Sequence, residues 1–457
     1  MPAQRRIDLV LESVKRLQRI GATANLLNLL QKQRPADLAH IFSEISEKDR
    51  RDAFTLLVDR YSRLAMEALS ELGPEEGASL IADRSVEEAG RLLEELPSDD
   101  AAALIDHLPD TLSAEVLDYL QRKDVGGVQE LLEYAEQTAG RIMNPNVFAL
   151  TEDLTAGEAI AELQKNKDIE MVFYLYAVDA RRHLVGVVSL RRLLLVSPET
   201  PLKRIMTTDM LSMRVDADQE EVAQVVASYN LLAIPVVNEE HKLVGVITVD
   251  DVIDVIKDEA TEDINRLAGV AGDEHVFTPP GEALRKRLPW LAINLGTAVL
   301  AAGVVSLFQD TIKEVVALAV FMPVVAGMGG NAATQTLTVT VRGIALGELT
   351  WGNSRKALIK EVLVGLGNGL ILGFVAAGVA WAMEGDPVLG LILGLAMVLN
   401  MVVAATAGTL IPIVLRALKV DPALASSVFI TTLTDIFGFL VFLGLGAAFL
   451  DYLRKAV

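Results

Sequence analysis

The chain of 457 residues contains no cysteine, which excludes a disulfide scaffold and thiolate metal sites. Histidine is scarce. His40, His107, His183, His241 and His275 are scattered through the N-terminal part with no nucleophile pattern beside them, so an enzyme is not expected. No GxxxxGK[ST] phosphate loop is present, so nothing points to an ATP-driven machine. The start, "MPAQRRIDLVLESVKRLQRI", reads as a charged amphipathic helix without the apolar stretch of a signal peptide, so the N-terminal part is expected in the cytosol. That part is also short of positive charge. Nine acidic and nine basic residues lie beyond Leu288, so the first 288 residues carry 52 acids against 32 bases and hold the whole net charge of −20. Such a surface suits cations, not nucleic acid or an anionic membrane.

Beyond Leu288 the chain is apolar. Five spans are expected, at about 289–308, 315–341, 357–382, 388–415 and 424–449, each near the ~20 residues a helix needs to cross a lipid bilayer. Arg285 to Arg287 precede the first span, Arg342, Arg355, Lys356 and Lys360 fall between the second and third, and Arg416 and Lys419 between the fourth and fifth. Asp310, Glu314, Glu384 and Asp386 lie on the opposite side. With positive charge inside, the N-terminus is cytosolic and the C-terminus outside.

Within "FITTLTDIFGFLVFLGLG" one residue is out of keeping with its surroundings. An ionised Asp435 at membrane depth costs several kcal/mol on any scale, so it is expected to be functional. No basic residue lies inside a span to pair with it, which makes a transported cation its partner. The plainer reading is a protonated or hydrogen-bonded carboxylate that fixes helix packing. The second span, "PVVAGMGGNAATQTLTVTVRG", is expected to depart from a plain helix. Irregular backbone at that depth must be buried in protein or line a wet cavity. Asn331, Thr334, Gln335 and Asn400 are therefore candidate pore-lining groups, with Thr431 beside them, although Thr431, Thr432 and Thr434 can equally bond back to their own helix. Packing through small residues is the plainer account of Gly329 and Gly330.

Residues 1–137 read as helical, with "RPADLAHIF", "GPEEGASLI", "LPSDDAAALI" and "LPDTLSAEVL" placing proline and acids at helix starts, as in a short irregular solenoid. Two copies of one unit come next, from Met143 and from Met206. Each has a short strand, a helix, an apolar strand pair with "LVGV" and a closing helix, and Gly186 and Gly245 mark the same place in each. The pair resembles tandem CBS domains, which bind adenosine nucleotides or ions. The first copy closes with Arg191 and Arg192, the second with Asp250 and Asp251. Beyond it Asp254, Asp258, Glu259, Glu262 and Asp263 stand at i,i+4 spacings that oppose a helix unless a cation bridges them; a solvated acidic face is the alternative. Oxygen ligands without His or Cys suit Mg²⁺, Ca²⁺ or Mn²⁺.

Together with "PVVAGMGGNAATQ", "VDPAL" and "TLTDIFG", this order of parts resembles the MgtE magnesium channels over nearly the whole chain. The resemblance implies a multidomain membrane protein: an all-α superhelical N-terminal domain (1–137), an α/β tandem CBS pair (138–200 and 201–256), a connecting plug helix (257–284) and a five-helix α transmembrane pore domain (285–457). It implies a homodimer in the bacterial cytoplasmic membrane, with Mg²⁺ both transported and regulatory. Asp435 matches the pore aspartate, Asp421 an aspartate at the start of the last span, and Glu314 an acid near the outer end of the second. The regulatory acids carry over to Glu67, Asp99 and Asp100, to Asp218, Glu220 and Asp251, and to Asp254, Glu259, Glu262 and Asp263, with Asp250 alongside. Asn230 and Ala103 stand where the family has further acids. ATP at the CBS pair is a further ligand the resemblance allows. The implied mechanism is feedback: at high internal Mg²⁺ the acids are bridged and the connecting helix (about 255–275) holds the pore shut. The alternatives are a coupled carrier with Asp435 as a proton or Na⁺ site, and a membrane-anchored CBS sensor that conducts nothing. A chloride channel is disfavoured by the acidic intramembrane charge.

Overall fold

The computed structural model describes residues 3–454 apart from 124–126, 167–172, 273, 275, 277 and 425–426, and only the backbone of 3–5 and 427. His275 thus lies outside the described residues. Two compact units are present, Met1–Val255 and Ile256–Val457.

The first unit opens with α1 (Ala3–Arg19), α2 (Thr23–Leu30), α3 (Pro35–Ser43), α4 (Glu47–Val58), α5 (Ser62–Leu72), α6 (Pro74–Ile81), α7 (Val86–Leu93), α8 (Ser98–Asp106), α9 (Asp110–Arg122), α10 (Val128–Glu133) and α11 (Ala139–Ile142). Pro35 and Pro74 are the first residues of their helices, where the missing N–H costs nothing. Pro97 and Pro109 sit one position earlier, as N-caps, which puts Asp99, Asp100 and Asp110 in the first turns against the positive helix ends. Each helix buries one stripe: Leu38, Ile41 and Phe42 of α3 meet Met66 and Leu69 of α5 in a common core.

The two repeats fold alike. In the first, β1 (Ala149–Thr151) is followed by α12 (Ala156–Lys165), then β2 (Tyr174–Val178), β3 (Leu184–Ser189), α13 (Leu190–Leu195) and α14 (Leu202–Ile205). The second has β4 (Met213–Arg214), α15 (Gln219–Tyr229), β5 (Ala233–Val237), β6 (Leu243–Thr248) and α16 (Val249–Leu267). In each sheet the short first strand is parallel to the second, which is antiparallel to the third. The LVGV glycines have a packing reason. A Cβ on Gly186 would lie 2.6 Å from the Met206 sulfur, and one on Gly245 2.6 Å from that of Met143. Each glycine admits the methionine that opens the other copy, so the repeats are cross-braced.

Among the described residues the second unit holds five helices long and apolar enough to cross a membrane: α17 (Pro280–Ser306), α19 (Ala317–Ala345), α20 (Ser354–Glu384), α21 (Pro387–Ala417) and α22 (Ser427–Ala448), with α18 (Gln309–Glu314) and α23 (Leu450–Leu453) as short neighbours. Three expectations are corrected. The first helix begins at Pro280, not Pro289, because the charged turn before Pro289 is itself helix-forming and Pro280 supplies a favourable first residue. The second span is one continuous helix through Pro323 and the glycines, not irregular backbone. The connecting helix is the direct continuation of the second repeat's closing helix and stops at Leu267. Gly269, at φ +73°, takes the left-handed position that ends it, and the Val270 N–H bonds the Asn265 carbonyl. Gly365, Gly369 and Gly373 of α20 let it press against α21, where Cβ atoms would lie 2.8–2.9 Å from Met401 O, Val398 Cα and Gly394 O.

Candidate ion pathway and sensor sites

Asp435 sits midway along α22, half-buried, and makes no hydrogen bond or ion pair among the described residues. Its neighbours on the helix are hydroxyls turned inward: Thr431 and Thr432 donate to the Val428 carbonyl at 3.2 and 2.7 Å, and Thr434 to Thr431 at 2.8 Å. A Cβ on Gly330 would stand 3.3 Å from the Thr431 methyl, so α19 and α22 touch there. One position on, Asn331 is exposed, and Gln335 comes one turn later on the same exposed face.

Asn400 corrects the expected pore lining. It is 1% exposed, and its amide donates to the Val325 carbonyl at 3.0 Å while its Oδ1 has no partner. Gly329 and Gly438 make room for it: Cβ atoms there would lie 2.1 and 2.7 Å from Nδ2. It is a joint between α19, α21 and α22, and meets the last helix at Gly438, three residues from Asp435. A second correction concerns Lys360, which does lie inside a membrane helix, near the start of α20. It pairs with the buried Glu361 at 2.5 Å, and Thr336 of α19 donates to Glu361 at 3.4 Å. The sequence reading passed over Glu361; its signal was a carboxylate within an apolar run, the same one that exposed Asp435.

At the end of α19 nearest α16, the acids are already engaged. Arg266 donates to both Glu262 and Asp421. Leu267 packs with Ala333, Leu337 and Val341 of α19 and with Ala404, Ala423 and Ile430. The tip of α16 therefore closes over the ends of α19, α21 and α22, with Asp421 just before a short 3₁₀ turn. Burial and the Asp421 carboxylate push Asp263 up to about 6, against the pull of Arg266, and Glu262 adds to the rise. Arg266 appeared in the sequence only as one base among many acids; its partner stands 155 residues away. Glu314 closes α18 and accepts from Arg454.

In the first unit Asp99 and Asp100 of α8 and Asp251 of α16 are brought together. Asp99 is pushed up to about 8, by burial first and then by the Asp251 and Asp100 carboxylates. Asp251 reaches about 6 through burial, with Asp250 and Asp100 adding to it and two hydrogen bonds from Thr248 opposing. Asn144 donates to Asp99 at 3.3 Å. Glu67 pairs with Arg63 at 2.9 Å. Asp218 caps α15 by accepting from the Glu220 N–H at 2.8 Å, and Glu220 accepts from Gln224. Asp250 and Asp254 are exposed, and Glu259 is half-buried. Asn230 ends α15 with φ +52°, a left-handed position that asparagine tolerates better than most residues. Among the described residues no three acidic or histidine side chains are close enough to share one ion. Mg²⁺, which keeps most of its waters, needs only one or two carboxylates.

A cavity of about 360 Å³ lies at the ends of α19, α20 and α21, and another of about 670 Å³ is lined by Tyr174, Tyr176, Phe173 and Asn144 with Arg63, Glu94 and Glu95. Two acids and one arginine stand beside the aromatic rings of the second.

Family models match three stretches of the chain: the MgtE intracellular N domain over 33–137, CBS domains over 139–199 and 202–258, and the divalent cation transporter domain of MgtE over 322–445. The magnesium transporter MgtE of Thermus thermophilus is 36% identical over 438 residues, 94% of this chain and 96% of that one. That of Bacillus subtilis is 37% identical over 335 residues, 73% of this chain and 74% of its own. A crystal structure of the cytosolic domain of the Mg²⁺ channel MgtE in complex with ATP aligns with 54% of this chain and 99% of its own, at 35% identity and a TM-score of 0.48. These relatives are transporters, not enzymes. The chain is a multi-pass membrane protein with a cytosolic-type helical domain and a CBS pair, and it belongs to the MgtE family of magnesium transporters.

Proposed function

We propose that the chain is a Mg²⁺-selective uptake channel of the bacterial cytoplasmic membrane, shut by cytosolic Mg²⁺. The observation that carries this reading is Asp435: a carboxylate midway along a membrane helix, with no protein partner among the described residues. A carboxylate left unpaired at that depth is costly unless a cation visits it. Asn331 and Gln335 on the adjoining helix present polar groups where lipid would otherwise lie. A second copy facing them would supply the opposite wall, so the working unit is a homodimer with water and hydrated Mg²⁺ between the two. The positive loops put the N-terminus in the cytosol and the C-terminus outside. Entry is then driven by the membrane potential, at about 2.3 kcal/mol per charge per 100 mV.

Closure rests on two groups of acids. Asp99 and Asp251, with Asp100 beside them, repel one another until a divalent ion bridges them. Glu262, Asp263 and Asp421 lie where α16 meets the ends of the pore-side helices, so an ion there tightens that contact. Mg²⁺ flux into proteoliposomes of wild type and Asp435→Ala, with the Mg²⁺ on the cytosolic face varied, tests both parts. Flux that requires Asp435 and falls as that Mg²⁺ rises is expected. Flux indifferent to the substitution removes Asp435 from the pathway, proton- or Na⁺-dependent flux makes the chain a coupled carrier, and no flux in either protein leaves an anchored sensor.

A further inference from the structure

The cavity of about 360 Å³ is set at the membrane boundary, where α19 ends and α20 begins beside the end of α21. Its walls are apolar, from Ile344, Leu349 and Ile413, and Trp351, 74% exposed, stands at its mouth. Tryptophan is favoured at headgroup level because its ring is amphipathic. The cavity also holds the Arg416 guanidinium. Arg416 donates to the Leu349 carbonyl at 2.8 Å and has no acidic partner among the described residues. This sets it apart from Arg266, Arg287, Lys360 and Arg454, each of which is paired with a carboxylate in the same unit. Arg355 and Lys356, at the start of α20, are exposed and likewise make no ion pair among the described residues. Glu348, on the same loop, does not line the cavity.

We infer that this cavity binds one anionic phospholipid, its phosphodiester on Arg416 and the upper part of an acyl chain along Ile344 and Ile413. A free phosphate would satisfy the guanidinium and leave the apolar walls wet; a neutral lipid would fill the walls and leave the guanidinium uncompensated. A phospholipid with net negative charge meets both. Basic pockets between membrane helices on the positive side have this chemistry.

The test uses the full chain with Trp290→Phe and Trp381→Phe, so that Trp351 is the only tryptophan. It is reconstituted in phosphatidylcholine vesicles containing a minor fraction of dibrominated phosphatidylglycerol or, separately, dibrominated phosphatidylcholine. Bromine quenches indole fluorescence on contact. The brominated anionic lipid should be enriched at Trp351 about fivefold over the neutral one, the equivalent of about 1 kcal/mol per basic residue. Arg416→Gln should remove that excess and Arg416→Lys keep part of it. A second reporter carrying only Trp381, far along α20, should show no preference and should not respond to Arg416→Gln, which also controls for folding. Equal quenching by the two lipids, or a preference that survives Arg416→Gln, overturns the inference. Loss of the preference on adding inorganic phosphate at constant ionic strength assigns the site to free phosphate and overturns it too.

Discussion

On the proposed sensing role, protons and divalent ions compete at Asp99. Its carboxyl is held up to about 8 by burial and by Asp251 and Asp100, while Asp251 lies at about 6. At about pH 7 Asp99 is therefore about 90% protonated and Asp251 about 10%, roughly one proton per pair. A divalent ion needs both carboxylates ionised, so binding should release about one proton. Deprotonating Asp99 first weakens the apparent affinity about elevenfold at about pH 7 and about 1.1-fold at about pH 9, so affinity should rise about tenfold across that range. The same shift fixes the sign of the stability change. The folded value lies above the ordinary 3.8, so folding favours the protonated form, and Asp99's contribution falls as pH rises from about 4 to about 8, unless a cation takes the proton's place. Isothermal titration of the full chain with Mg²⁺, in two buffers of different protonation enthalpy, reads proton release and affinity together. Asp99→Asn should remove both the released proton and the tenfold slope. Equal affinities at about pH 7 and about pH 9, or heats independent of buffer, would refute the assignment of these acids as a sensor.

A methyl at Gly329 would strike the Asn400 amide, so Gly329→Ala should cost about 1–3 kcal/mol, read as a lower Tm, and the double variant with Asn400→Ala should recover part of it. At Gly186 the obstruction is a flexible methionine end, so Gly186→Ala should cost less, about 1 kcal/mol, with Met206→Ala restoring the balance. Arg266 already neutralises Glu262 and Asp421, so an incoming ion must displace it. Arg266→Gln should move closure to lower internal Mg²⁺, about fivefold for a partly exposed pair worth about 1 kcal/mol; a shift to higher Mg²⁺ would make Arg266 a strap that closes the pore.

The spans and the repeated unit were legible because each depends on a one-dimensional property. A run of apolar residues long enough to cross a bilayer is seen without any knowledge of neighbours, and "LVGV" recurs with a matching methionine because each glycine receives the other copy's side chain. Helix ends were less legible. Pro280 and Gly269 decide them, and both lie in polar sequence where several residues could start or stop a helix. Proline, glycine and asparagine together suggested broken backbone in the second span. In fact Gly329 answers a close approach by Asn400, and the helix continues. An asparagine in an apolar run looks the same whether it lines a pore or ties two helices together. Asp435 could be found as a lone charge. The pairing of Arg266 with Asp421 could not, because it is made by the fold between residues 155 positions apart.

The carboxylates fall into states that differ in what already occupies them, and this orders their uses. Asp99 holds a proton, Asp421 an arginine, and Asp435 nothing among the described residues. A group that must accept and release cargo at every passage cannot begin from a protein ion pair, since breaking it would add its cost to each crossing. A group that reports an internal concentration is better placed behind a competitor, because the competitor sets the concentration at which the ion wins. On the proposed function, a proton on Asp99 would make that threshold depend on pH, and a guanidinium on Asp421 would make it depend on the position of α16. The unpaired acid therefore suits passage and the occupied acids suit control.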